Sequence, residues 1–153
     1  MILPDAALVR FASCTPALNE TATTALIRAL DLLGQQFVRE NRCAAFAAES
    51  ACAGHLLVLA WDGPALSGCS HDKFNRLFAE LGARYGVDFL GAPPLVVAID
   101  GVWTCTDRAG LRAAAARITA VADTRCATLG AWRAQGVGPL AQSWLAGLLV
   151  RAG

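Results

Sequence analysis

Charge of either sign is scarce in this chain, and no run of basic residues occurs. Charged residues make up 16% of the 153 residues, and 13 Lys and Arg face 12 Asp and Glu. Proteins that bind nucleic acid through its phosphates present clustered Lys and Arg. The sparse, scattered charge therefore predicts no nucleic-acid partner.

Long hydrophobic runs are also missing, although 56% of the residues are hydrophobic. The longest uncharged run, residues 134–150, is interrupted by glycines, a proline and glutamines and is short for a bilayer span. The first five residues lack the basic segment and apolar core of a signal peptide. These absences predict a soluble, cytoplasmic protein without a membrane partner.

Cysteines and histidines show no metal-binding spacing. No pair of cysteines has CxxC spacing, and His55 and His71 lack a second ligand nearby in sequence. We therefore expect no metal and no cofactor. Without an export signal, reduced thiols are expected for the six cysteines, which lie at positions 14, 43, 52, 69, 105 and 126.

The clearest pattern is an apolar run followed by a turn and an amphipathic helix. The run HLLVLAW at residues 55–61 predicts a buried central strand. One helix face is apolar, and Ser70 is the predicted N-cap, with Asp72 in the first turn and Gly86 at the end. The apolar face consists of Phe74, Leu77, Phe78, Leu81 and Tyr85.

The turn before this helix holds the densest group of reactive side chains. Helix N-termini bind anions and lower the pKa of a nearby cysteine. The candidate catalytic residues are Cys69, His71 and Asp72, and the candidate ligand-binding residues are Ser67, Gly68 and Ser70. In the alternative interpretation, the serine only caps the helix and the cysteine is a small buried apolar residue.

Residues 63–70 have the GxxxxG spacing of a phosphate-binding loop. Cys69 occupies the position where such loops carry the lysine that contacts the nucleotide phosphates, and Pro64 removes a backbone donor. Since that lysine is part of the mechanism, nucleotide hydrolysis is excluded.

The remaining elements are predicted from periodicity and turn signals. Residues 42–49 fit a strand or a helix, and we favour the strand. Asp100-Gly101 between two apolar runs indicates a hairpin. The other predictions are a strand at 6–14, a helix at 20–37 capped by Asn19, hairpin strands at 95–99 and 102–106, a helix from Thr106 or Asp107 to Ile118, a short strand at 123–128 and a last helix from Pro139.

This order predicts one α+β domain over residues 1–153. The sequence β-α-β-β-α-β-β, followed by helices, fits an antiparallel sheet with helices packed on one face, which is the ferredoxin-like plan. A profilin- or roadblock-like sheet is the alternative, because it uses similar elements in a different order. No repeat or linker divides the chain.

The turn and helix resemble a family of small uncharacterised bacterial proteins that is common in Bacteroidetes. The likeness rests on Gly68-Cys69-Ser70-x-Asp72 after an apolar strand and on a helix ending in Tyr85-Gly86-Val87-Asp88-Phe89. Many members carry the label "ABC transporter ATPase", which the missing lysine contradicts. Where the family has a histidine after Ser143-Trp144, this chain has Leu145. The resemblance implies that the turn matters, without implying a reaction.

Two functions of different classes remain. The favoured one is a small binding or interaction module for a small molecule or a protein, with a possible homodimer formed through an apolar sheet face or through Trp103, Trp132 and Trp144. The alternative is a small-molecule enzyme that uses Cys69 as a nucleophile or redox thiol, tuned by His71 and Asp72. A weaker third hypothesis is anion binding without hydrolysis at residues 67–70.

Overall fold

The first three strands form one antiparallel sheet. In this computed structural model, which describes residues 1–150, the sheet consists of β1 (Leu8–Ser13), β2 (Ala45–Ala51) and β3 (Leu56–Asp62) in the order β1-β3-β2. Helix α1 (Glu20–Arg39) connects β1 to β2, and the side chain of Asn19 caps it by accepting from the N–H of Ala22. The predicted first helix and its cap are confirmed. Residues 42–49, which fit a strand or a helix by sequence, lie mostly in strand β2.

The central strand, β3, is buried on both faces, as its continuous apolar run predicts. Its side chains alternate between two core clusters. Leu57, Leu59 and Trp61 pack with α1 and with helix α2 (Gly68–Tyr85). Leu56, Val58 and Ala60 pack on the other side, against a second sheet.

The second sheet is also antiparallel. It consists of β4 (Leu95–Ile99), β5 (Val102–Thr106), β6 (Ile118–Ala122) and β7 (Val137–Gly138) in the order β5-β4-β6-β7. The predicted hairpin between β4 and β5 is confirmed, with Asp100 and Gly101 both at positive φ, of 50° and 81°. The helices of this half are α3 (Arg108–Ala114), α4 (Leu129–Gln135) and α5 (Ala146–Val150).

The α+β class is confirmed, but the strands divide between two stacked sheets. The first sheet has the split βαβ arrangement of the ferredoxin-like plan, with β3 between β1 and β2. In that plan the next strand pairs with β1, whereas here β4 starts the second sheet. Helices therefore cover the outer faces of two sheets instead of one face of a single sheet. The profilin- or roadblock-like alternative is corrected as well, because it also has a single sheet.

Three predictions in the last third of the chain are wrong in detail. The helix capped by Asp107 ends at Ala114, because Ile118 and Val121 instead pack in the third core cluster as part of β6. The strand predicted at 123–128 is a loop that contributes only an isolated bridge at Thr128. The helix predicted from Pro139 is divided at Ser143, where the backbone is extended.

Three short 3-10 helices are the remaining elements of residues 1–150. They are Cys52–Gly54, Ala115–Arg117 and Leu140–Gln142. Trp132 is buried in the second core cluster, and Trp103 and Trp144 are partly buried against the second and third clusters. Within residues 1–150, no helix combines the length and the apolar character needed to cross a membrane.

Candidate functional site

Helix α2 begins one turn earlier than predicted, and Ser67 is its N-cap. The backbone of Ser67 is extended, and its hydroxyl accepts a hydrogen bond from the N–H of Ser70. The neighbouring Leu66 is buried in the first core cluster, and this burial fixes where the chain enters the helix. Ser70 therefore lies inside the first turn, and Asp72 lies one residue beyond that turn.

Ser70 belongs to the interior. Its side chain is fully buried, at 0% exposure. The Ser70 hydroxyl accepts a hydrogen bond of 2.7 Å from Nη1 of Arg42 and lies 3.1 Å from the hydroxyl of Ser67. Arg42 also pairs with Glu40, whose carboxylate lies 2.7 Å from Nε. Because these partners satisfy Ser70, its role is to join α2 to the segment that precedes β2.

His71 points in another direction, toward β1. Nη1 of Arg10 lies 3.2 Å from Nδ1 of His71 and 3.3 Å from its backbone carbonyl. Since an arginine only donates, Nδ1 accepts, and the ring is neutral with its proton on Nε2. Burial, and then the charge of Arg10, lower the pKa of His71, while Asp72 acts in the opposite direction. His71 therefore offers a ring N–H donor.

Arg10 is a half-buried cation, and its partners within residues 1–150 are neutral groups. Besides His71, it donates to the side-chain oxygen of Asn75, and its guanidinium lies over the rings of Phe74 and Phe78 at 5.8 and 5.5 Å. Burial lowers its pKa, yet arginine stays charged. Among residues 1–150, no carboxylate forms an ion pair with Arg10. Its positive charge is uncompensated.

Arg10 and His71 line an open groove of about 450 Å³, a volume within the range of small-ligand sites. The groove follows the edge of β1. Its walls are formed by side chains of β1, by Trp61 and His71 on the side of α2, and by Pro94 and Thr124 on the side of the second sheet.

The other residues predicted for the site face solvent. Gly68, Cys69 and Asp72 are exposed. Within residues 1–150, Cys69 makes no hydrogen bond to His71, whose Nδ1 is occupied by Arg10. Each position along a helix turns the side chain by about 100°, so side chains two positions apart, such as those of Cys69 and His71, point in nearly opposite directions. The structure therefore brings together Ser67 and Ser70, but not Cys69 and His71.

A second histidine, His55, lies in a separate cluster with three cysteines. Its Nδ1 is 2.8 Å from the carbonyl oxygen of Cys14 and 3.7 Å from the sulfur of Cys105. A carbonyl oxygen only accepts, so Nδ1 carries the proton and cannot remove one from the thiol. Burial raises the pKa of Cys14 and of Cys52 to about 12 and raises that of Cys105. These thiols are neutral; Cys14 is buried, and Cys52 and Cys105 are partly buried.

No metal site is apparent in the described part of the chain. Among residues 1–150, no group of three or more His, Cys, Asp or Glu side chains is arranged to hold a metal ion. This also holds for His55 and the three cysteines around it.

Sequence reasoning missed Arg10, Arg42 and Asn75. Only Arg10 could have been identified from the sequence, because it is a charged residue in the middle of the apolar strand LVRFAS. Its side chain lies on the same face as those of Leu8 and Ala12, which pack against the helices. A charged side chain on a covered face requires polar partners, and here those partners come from α2.

Comparisons of this chain with protein-family models, with curated proteins and with solved structures found no match. The resemblance to the small bacterial family therefore stays a prediction. The geometry of the groove is what bears on function.

Proposed function

We propose that the chain is a small binding module that holds a carboxylate, or another anionic group, in the groove beside Arg10 and His71. The observation that carries the proposal is the uncompensated charge of Arg10 in an open groove. A guanidinium has five N–H donors, and three are used by His71 and Asn75. The remaining two, together with the Nε2–H of His71, are donors available to an anion.

This assignment moves the binding site from the residues predicted at the helix terminus to the groove. The hydroxyls of Ser67 and Ser70 bond to each other, and that of Ser70 also accepts from Arg42, so both are engaged within the protein. His71 is the one predicted residue that lines the groove. The alternative function, a thiol enzyme acting through Cys69, rests on the exposure of that cysteine alone. A homodimer also stays a prediction.

The test is a titration with succinate, a small dicarboxylate, monitored by NMR signals of the Arg10 side chain and the His71 ring. Arg10→Gln is expected to weaken binding about 10- to 100-fold, since a hydrogen bond to a charged group contributes roughly 1.5–3 kcal/mol. The matched control is Arg117→Gln, which removes an exposed arginine already paired with Asp100. Equal affinity of the Arg10 variant and the wild type contradicts the proposal.

A further inference from the structure

Strand β1 has one unpaired edge, and that edge lies in the groove. Its other edge pairs with β3, with Phe11 opposite Val58. The open edge is closed only at its two ends. At one end the carbonyl of Ala7 accepts from the N–H of Leu129 at 2.8 Å, and at the other Thr15 and Asp88 exchange two backbone hydrogen bonds of 3.1 and 2.9 Å.

Alternation along the strand identifies the free backbone groups. Ala7 and Thr15 bond outward, whereas the N–H of Cys14 bonds inward to the carbonyl of His55. In an antiparallel strand, successive residues direct their backbone groups to opposite edges. The backbone N–H and C=O groups of Phe11 and Ser13 therefore point toward the open edge, as those of Ala7 and Thr15 do. Within residues 1–150, no strand pairs with this edge between the two end bridges.

The geometry points to an extended peptide segment with an acidic side chain, which adds to β1 as a further strand and places its carboxylate beside Arg10. This inference rests on the proposed anion site and specifies its ligand. The open stretch of residues 9–13 is about 16 Å long, which matches a peptide of five residues. Main-chain hydrogen bonds to an exposed strand edge supply affinity, and alternate side chains supply specificity.

The shape of the groove favours a single peptide strand over a second copy of this chain. Trp61 and His71 flank the edge on one side, and Pro94 and Thr124 flank it on the other. A single extended strand fits between these walls. A strand that belongs to a second folded copy is covered by its own helices and loops, which would collide with the walls. The uncompensated Arg10 selects an acidic residue at the position nearest α2.

The probe is the synthetic peptide acetyl-TVEVT-amide, whose β-branched residues favour an extended backbone. Hydrogen exchange of backbone amides, measured by NMR, is the readout. Binding is expected to slow exchange of the backbone amides of Phe11 and Ser13 at least tenfold. The amides of Arg10 and Ala12, which already point toward β3, are expected to exchange at an unchanged rate. The control peptides carry N-methyl groups on both valines or glutamine in place of glutamate, and each is expected to bind at least tenfold more weakly.

The outcomes separate this inference from the proposed function. If succinate binds at Arg10 but the peptide does not protect Phe11, strand addition is wrong and the anion site stands. If neither ligand binds, both proposals fail. If the N-methylated peptide binds as well as the parent, the backbone groups are not used and strand addition is again wrong. Protection of Phe11 without peptide, together with a dimeric mass in sedimentation, assigns the edge to a second copy and overturns the inference.

Discussion

The two histidines of this chain lie in opposite chemical settings. His71 accepts a hydrogen bond from a cation in an open groove, and its pKa is lowered by burial and by Arg10. His55 donates to the carbonyl of Cys14 and lies 3.7 Å from the sulfur of Cys105. By distance alone, the second arrangement looks like a catalytic pair.

The comparison shows that the hydrogen-bond partner of a histidine decides its role more than its distance to a thiol does. Nδ1 of His55 carries a proton, so it does not act as a base, and burial keeps Cys14 and Cys105 protonated by raising their pKa. In the part of the chain that the structure describes, the hydrogen-bond partners of Arg10 are neutral, and its charge is unbalanced. The region with the unbalanced charge is the one suited to bind a ligand.

The largest expected effect is in cysteine reactivity. At pH 8, iodoacetamide is expected to modify Cys69 at least 100-fold faster than Cys14 or Cys52, because Cys69 is exposed and a thiol with a pKa of about 12 is ionised in only about 1 molecule in 10,000. Peptide mass spectrometry of timed samples measures the rates. If Cys14 is labelled as fast as Cys69, the cysteines near His55 are reactive, and the conclusion that His71 lies in the functional region is wrong.

The next effect is in stability and concerns the contacts of the His71 region. Ser70→Ala is expected to lower the free energy of unfolding by about 1–2 kcal/mol, because the guanidinium of Arg42 loses its buried acceptor. Cys69→Ala, at the neighbouring exposed position, is expected to change it by less than about 0.5 kcal/mol. Urea unfolding measures both variants. Equal losses mean that the Ser70 contact contributes nothing specific.

A smaller effect separates the two histidines as ligand-binding groups. His71→Gln is expected to weaken succinate binding about 3- to 10-fold, because a more flexible amide N–H replaces the ring N–H, so only part of the roughly 1.5–3 kcal/mol of a hydrogen bond to the charged carboxylate is lost. His55→Gln is the matched control, since His55 does not line the groove, and it is expected to leave the affinity unchanged. Calorimetric titration compares the two variants. A larger loss from His55→Gln contradicts the assignment of the groove.

Local signals predicted several elements of the fold, including two that contribute to the site. The buried strand β3, helix α2 and the Asp100-Gly101 turn follow from periodicity and turn chemistry over a few residues. The division into two sheets does not, because it depends on which distant strands pair, and β4 joins β6 instead of β1. The helix predicted to reach Ile118 also shows this limit, since sheet pairing overrides the helix propensity of the alanines before it.

The site was less predictable than the fold. Cys69, His71 and Asp72 lie within four consecutive positions, but only His71 lines the groove. Its partner Arg10 lies 61 positions away, and the partner of Ser70, Arg42, lies 28 positions away. No spacing rule relates such positions, because the fold alone brings them together.

The smallest expected effect is the dependence of stability on pH, and it tests the cause of the His71 environment. Because the folded protein lowers the pKa of His71 from 6.5, the unfolded chain takes up this proton at a higher pH than the folded protein does. The corresponding stability is present above pH 6.5 and is lost as the pH falls below it. Urea midpoints between pH 8 and pH 5 are therefore expected to fall less steeply in His71→Gln than in the wild type.

An NMR titration of the His71 ring distinguishes the two physical causes of this shift. Removing the charge of Arg10 by Arg10→Gln is expected to raise the pKa of His71 toward 6.5, but burial keeps it below that value, since burial is the larger cause. An unchanged pKa in this variant means that Arg10 does not act electrostatically on the ring. In that case burial alone explains the lowered pKa of His71, and the contact with Arg10 only orients the ring.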